Sequence, residues 1–85
     1  SSPLCMLLDE PTEGVAPMIV SQMAEQVNQA RRHRNMALLL AEQNIWFSRQ
    51  CTDFVYVIDT GRIVFEGDWQ TFDSRPEIAE RYIGV

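Results

Sequence analysis

The sequence predicts an α/β fold, and three observations carry that prediction. Two short continuous apolar runs, LCMLL (4–8) and MALLLA (36–41), have the length and composition of buried strands. The segment between them repeats its apolar residues at helical spacing. Further on, FVYVID and RIVFEG flank a Thr-Gly pair and read as a hairpin.

Each element has its own local reason. LCMLL lacks alternation, as expected of a strand covered on both faces of a parallel sheet. It places Cys5 in the interior as a free thiol. Pro11 ends the strand, and Thr12 to Pro17 form a loop. Pro17 suits the first turn of a helix. From there Ile19, Val20, Met23, Ala24, Val27 and Ala30 make one stripe. Arg31, Arg32 and Arg34 complement the negative end of that helix, with Asn35 as a left-handed cap. MALLLA is the second buried strand, and a short helix runs from Ile45 to Thr52. The hairpin covers 54–59 and 62–67. Two short helices follow, Trp69 to Asp73 and Pro76 to Ile83. Two strands joined by a crossover helix should be parallel.

The 85 residues suffice for one small domain or part of a larger one, and the 46% hydrophobic fraction is that of a globular chain. The net charge is −5, and all seven basic residues are Arg. An acidic chain without a basic face argues against nucleic-acid binding. Cys5 and Cys51 have no metal-ligand spacing, and a free thiol at Cys5 in place of a disulfide fits a reducing compartment. No run approaches the roughly 20 apolar residues of a membrane span. These features predict a cytoplasmic location.

In parallel α/β sheets ligands collect beyond the carboxyl ends of the strands. Asp9–Glu10 and Glu42–Gln43–Asn44 fall at those ends. Adjacent carboxylates there suit a metal–phosphate centre, one holding Mg²⁺ and the other orienting or deprotonating a water. The bland alternative, Asp9 as a loop cap and Glu10 as a solvated residue, fits a bare Asp-Glu pair better than it fits LLDEPTEG leading into a helix.

Those motifs resemble ABC-type ATPases in order along the whole chain. LLDEPTEGVAP is similar to their Walker B strand and D-loop, AEQN to their switch loop, and DFVYVIDTGRIVFEG to their closing hairpin. The wording DEPTEGVAP, AEQN and RPEIAERYIGV is similar to branched-chain amino acid importer ATPases. Phe54 and Thr52 depart from the family's frequent Arg and Ala, and Arg49 from a commonly apolar helix position. The resemblance implies a RecA-like P-loop NTPase domain, with residues 1–85 forming its part from the Walker B strand to the C-terminus. No GxxxxGK[ST] loop and no LSGGQ motif occurs in these 85 residues.

The resemblance also implies an ATP-hydrolysing importer subunit using ATP and Mg²⁺. Asp9 would associate with Mg²⁺, through water, and Glu10 would polarise the hydrolytic water. Glu13, Gly14, Val15 and Ala16 would form the D-loop at a dimer interface. Gln43 would contact the γ-phosphate where most of the family has histidine. His33 is read as a surface residue. The implied partners are a second ATPase subunit, as homo- or heterodimer, membrane permease subunits and, indirectly, a periplasmic solute-binding protein, with the ATPase peripheral on the inner membrane face. Alternatives are ATPases of urea or amide importers or of lipopolysaccharide export, and a non-catalytic remnant acting as an interaction module.

Overall fold

The computed structural model describes residues 5–34 and 36–84. The elements run β1 (Cys5–Asp9), α1 (Pro17–Arg34), β2 (Ala37–Ala41), α2 (Ile45–Cys51), β3 (Phe54–Asp59), β4 (Arg62–Asp68), α3 (Trp69–Asp73) and α4 (Pro76–Tyr82). They fall into two compact units, Ser1–Thr52 and Asp53–Val85. Leu4 and the expected cap Asn35 lie outside the described residues.

In the first unit β1 and β2 pair in parallel, in the register Cys5↔Ala37 to Asp9↔Ala41. The predicted crossover helix α1 begins at Pro17, which needs no amide partner at that position. The Ala16 carbonyl opens the helix by accepting from the amides of Ile19 and Val20 at 3.0 and 3.1 Å. Its buried residues, Val20 and Ala24, close on Phe47 and Cys51 of α2, with Leu38 and Leu40 of β2 packed alongside. Asn44 caps α2 by accepting from the Phe47 amide at 3.0 Å.

Three expectations change. Burial in β1 and β2 alternates, and Leu7 and Leu39 are 68% and 61% exposed. The core of this unit packs on one face of the strand pair, so a run that predicts two covered faces has one. Cys5 shares the open face with Leu7 and is exposed, not interior. Ile19, counted in the apolar stripe, is exposed as well.

The basic end of α1 does more than complement its own dipole. Arg31 Nη1 donates to the Cys51 carbonyl at the end of α2 and, at 3.0 Å, to Asn28 Oδ1. Asn28 Nδ2 donates to the Gln50 carbonyl at 2.8 Å. Two α1 side chains thus satisfy carbonyls that α2 leaves over at its C-terminus. Cys51 is fully buried, and its burial pushes the thiol up, against the opposing charge of Arg31. His33 is exposed, as predicted.

In the second unit β3 and β4 form the predicted antiparallel hairpin, irregular between Val57 and Ile58. Thr60 and Gly61 turn it with φ of 50° and 76°, the left-handed pair of a type I′ turn. Val57, Phe65, Phe72 and Ile78 make its core. Asp68 caps α3 by accepting from the Thr71 amide at 2.8 Å.

Candidate functional site

The site lies in the first unit, at the carboxyl ends of β1 and β2. Asp9 is the last residue of β1, exposed and in register with Ala41. Glu10 follows with φ of 49°, a left-handed conformation uncommon for a side-chain-bearing residue. Its amide donates to the Ala41 carbonyl at 2.7 Å, so the backbone of Glu10 is still held by β2 as the chain leaves the sheet.

Two consecutive turns carry the chain away from Glu10. The Glu10 carbonyl accepts from the Glu13 amide at 3.2 Å, with Pro11 pre-set at the second turn position. The Thr12 carbonyl then accepts from the Val15 amide at 3.1 Å. Gly14 is the third residue of that second turn and has φ of 74°, the geometry of a type II turn. Glu13, Gly14 and Ala16 are exposed, whereas Val15 packs against the core of the unit.

The loop after β2 comes to the same place. Gln43 is exposed and lies two residues beyond Ala41, whose carbonyl takes the Glu10 amide. Partial burial and the negative charges of Glu42, Glu13 and Asp9 push the Glu10 carboxyl above its ordinary value. The structure therefore brings Glu10 and Gln43 together, 33 positions apart in the sequence numbering. The Gln43 side chain makes no hydrogen bond among the described residues.

Glu42, which the sequence offers only as part of a polar cluster, links both loops of the site. Its Oε1 accepts from the Thr12 amide at 3.0 Å and from the Thr12 hydroxyl. Its Oε2 accepts from the Asn44 amide at 2.9 Å. Burial opposes ionisation of Glu42, but the hydrogen bonds from Thr12 and Asn44 outweigh it and hold the carboxyl below its ordinary value. Thr12 is itself buried at 7% exposure. The sequence signal for this pair is faint: an acid directly after one strand and a threonine in the turn after its neighbour.

No protein-family model matches the chain. Among curated proteins it is 36% identical over 84 residues to the high-affinity branched-chain amino acid transport ATP-binding protein BraG of Pseudomonas aeruginosa, covering 99% of this chain and 36% of the relative. Among solved structures it is similar to an ATP-binding cassette of an ABC transporter, with TM-score 0.76, 28% identity, and coverage of 96% of this chain and 34% of that one. Along nearly its whole length the chain is similar to ABC-type ATPases.

A second solved ABC protein, cbiO1 of Clostridium perfringens, part of the transporter complex cbiONQ, matches with TM-score 0.74 and 25% identity over 93% of this chain and 33% of its own. The chain spans about a third of the length of these ABC relatives. The parallel pair, crossover helix and closing hairpin predicted from the sequence are thus those of an ABC ATPase domain. No helix among the described residues is long and apolar enough to cross a membrane. Nor do three or more His, Cys, Asp or Glu side chains among them group as metal ligands. That sparse donor set is compatible with Mg²⁺, which takes one or two carboxylates and completes its shell with water and phosphate.

Proposed function

We propose that the chain supplies the catalytic-carboxylate part of an ATPase subunit that powers an ABC importer of branched-chain or related amino acids. The single observation that carries this reading is the convergence of the loops bearing Glu10 and Gln43 beyond the ends of two parallel strands, with the Glu10 amide held by the Ala41 carbonyl. The name of the relative BraG supports the choice of solute class.

In this reading Asp9, exposed at the strand end, would hold Mg²⁺ through water. Bound Mg²⁺ supplies neutralisation of charge on the β- and γ-phosphates. Glu10 orients the attacking water and accepts its proton. A carboxyl raised by burial and by neighbouring acids is the better base for that task. Gln43 presents an amide that donates a hydrogen bond to the γ-phosphate but takes up no proton at neutral pH. The exposed turn at Glu13, Gly14 and Ala16, anchored by Val15, is the surface offered to a second ATPase subunit. The remaining partners are membrane permease subunits and, through them, a periplasmic solute-binding protein, with the ATPase on the cytoplasmic membrane face.

Substitution Glu10→Gln in the intact ATPase tests the reading. It keeps the size and an acceptor oxygen while removing charge and basicity. Nucleotide binding should survive, and steady-state hydrolysis by the assembled transporter should fall roughly 10²-fold or more. Unchanged turnover would remove Glu10 from the catalytic role.

A further inference from the structure

We infer that Glu42 is a positioning residue for ATP hydrolysis, its carboxylate tying the turn after β1 to the loop after β2 so that Gln43 is held at a fixed place beside Glu10. The inference rests on the catalytic reading of Glu10 and Gln43 and adds a residue to it.

The geometry is that of a clamp. One carboxylate oxygen takes both the amide and the hydroxyl of Thr12, two residues beyond Glu10. The other takes the amide of Asn44, the residue after Gln43. Gln43 is thereby bracketed: Glu42 precedes it, and Asn44, held by Glu42, follows it. Asn44 is in turn fixed to α2, because its side chain accepts from the Phe47 amide and its carbonyl accepts from the Ser48 amide at 3.0 Å. Phe47 is fully buried, so this end of the clamp rests on the core of the unit. On the other side Thr12 is buried and its carbonyl closes the Gly14 turn. A displacement of either loop is therefore felt by the other.

A glutamate serving only to cap α2 would need the Asn44 contact alone. Its two hydrogen bonds to Thr12, 30 positions away in sequence, have no part in capping. They lock the distance between the loops that carry the proposed catalytic carboxylate and the γ-phosphate contact. Misplacement of such groups by about 1 Å can cost up to 10²-fold in rate without loss of binding.

The test uses the intact ATPase with substitutions Glu42→Gln, Thr12→Val and Thr12→Ser, beside Glu10→Gln and the stability control Asp68→Ala, whose cap hydrogen bond lies in α3. Glu42→Gln and Thr12→Val should lower kcat roughly 10- to 100-fold with KM for ATP changed by no more than about threefold. Thr12→Ser, which keeps the hydroxyl donor, should recover most of the turnover lost in Thr12→Val. Amide hydrogen exchange should quicken by about tenfold at Asn44 in Thr12→Val, across the clamp from the altered residue. Asp68→Ala should lower the melting temperature and leave kcat in place. Exchange changes confined to residues 10–15 in Thr12→Val would overturn the inference, as would a kcat loss in Asp68→Ala matching that in Glu42→Gln. Intact turnover in Glu42→Gln beside an inactive Glu10→Gln would overturn it alone, whereas intact turnover in Glu10→Gln would overturn the underlying catalytic reading.

Discussion

Gly14 separates the backbone requirement of the loop after β1 from any requirement for space. A Cβ built at Gly14 meets nothing within 4 Å, so substitution Gly14→Ala introduces no clash. The cost comes from φ of 74° alone. Holding alanine in the left-handed region costs about 1–2 kcal/mol. Against this, alanine restricts the unfolded chain and returns about 0.4–1 kcal/mol. The expected net destabilisation is about 1 kcal/mol. Asparagine tolerates the left-handed region, so Gly14→Asn should cost clearly less than Gly14→Ala. Urea unfolding followed by far-ultraviolet circular dichroism reads both, provided the slope is unchanged between variants. Equal costs for alanine and asparagine, or a neutral alanine, would refute the type II turn as the reason for glycine here. A loss well above 2 kcal/mol would mean that another part of the protein sits against the turn.

The other predictions address the core, the hairpin and the acid response. Phe47→Ala removes a side chain with 0% exposure and should cost about 3–5 kcal/mol, seen as a large fall in urea midpoint; a loss below 1 kcal/mol would contradict the packing of α2 on α1. Thr60→Asn relieves a β-branched residue held at φ of 50° and should stabilise the hairpin by about 0.5–1 kcal/mol, checked by the same unfolding curve. Glu42 has its carboxyl lowered from the ordinary 4.5, so its stabilisation is complete above that value and is lost as pH falls through the lower folded value. Thr12→Val should flatten that acid-side loss, measured as denaturation midpoint against pH; an unchanged profile would break the link between Thr12 and the lowered carboxyl.

Much of the fold is written locally. Pro17 starts α1, Thr60-Gly61 turns the hairpin, Asn44 and Asp68 cap their helices, and each acts within four residues of its own position. Parallel pairing of β1 and β2 also follows from the chain, because a crossover helix of 18 residues between two short apolar runs leaves little alternative. The motif DEPTEGVAP is equally local, and it carries the family resemblance without any tertiary contact. What the sequence alone misjudged was one-sided burial. An apolar run states that a strand prefers cover, but it does not say whether cover is packed against both faces, so Cys5, Leu7 and Leu39 read as interior and are exposed. Arg31 likewise carries the same charge whether it serves its own helix or reaches the last carbonyl of α2, and only packing of the two helices directs it to Cys51. Glu42 was the least legible of all. Its partners are contributed by turns after two different strands, and hydrogen bonds across 30 positions exist only once β1 and β2 lie in register and bring their ends together.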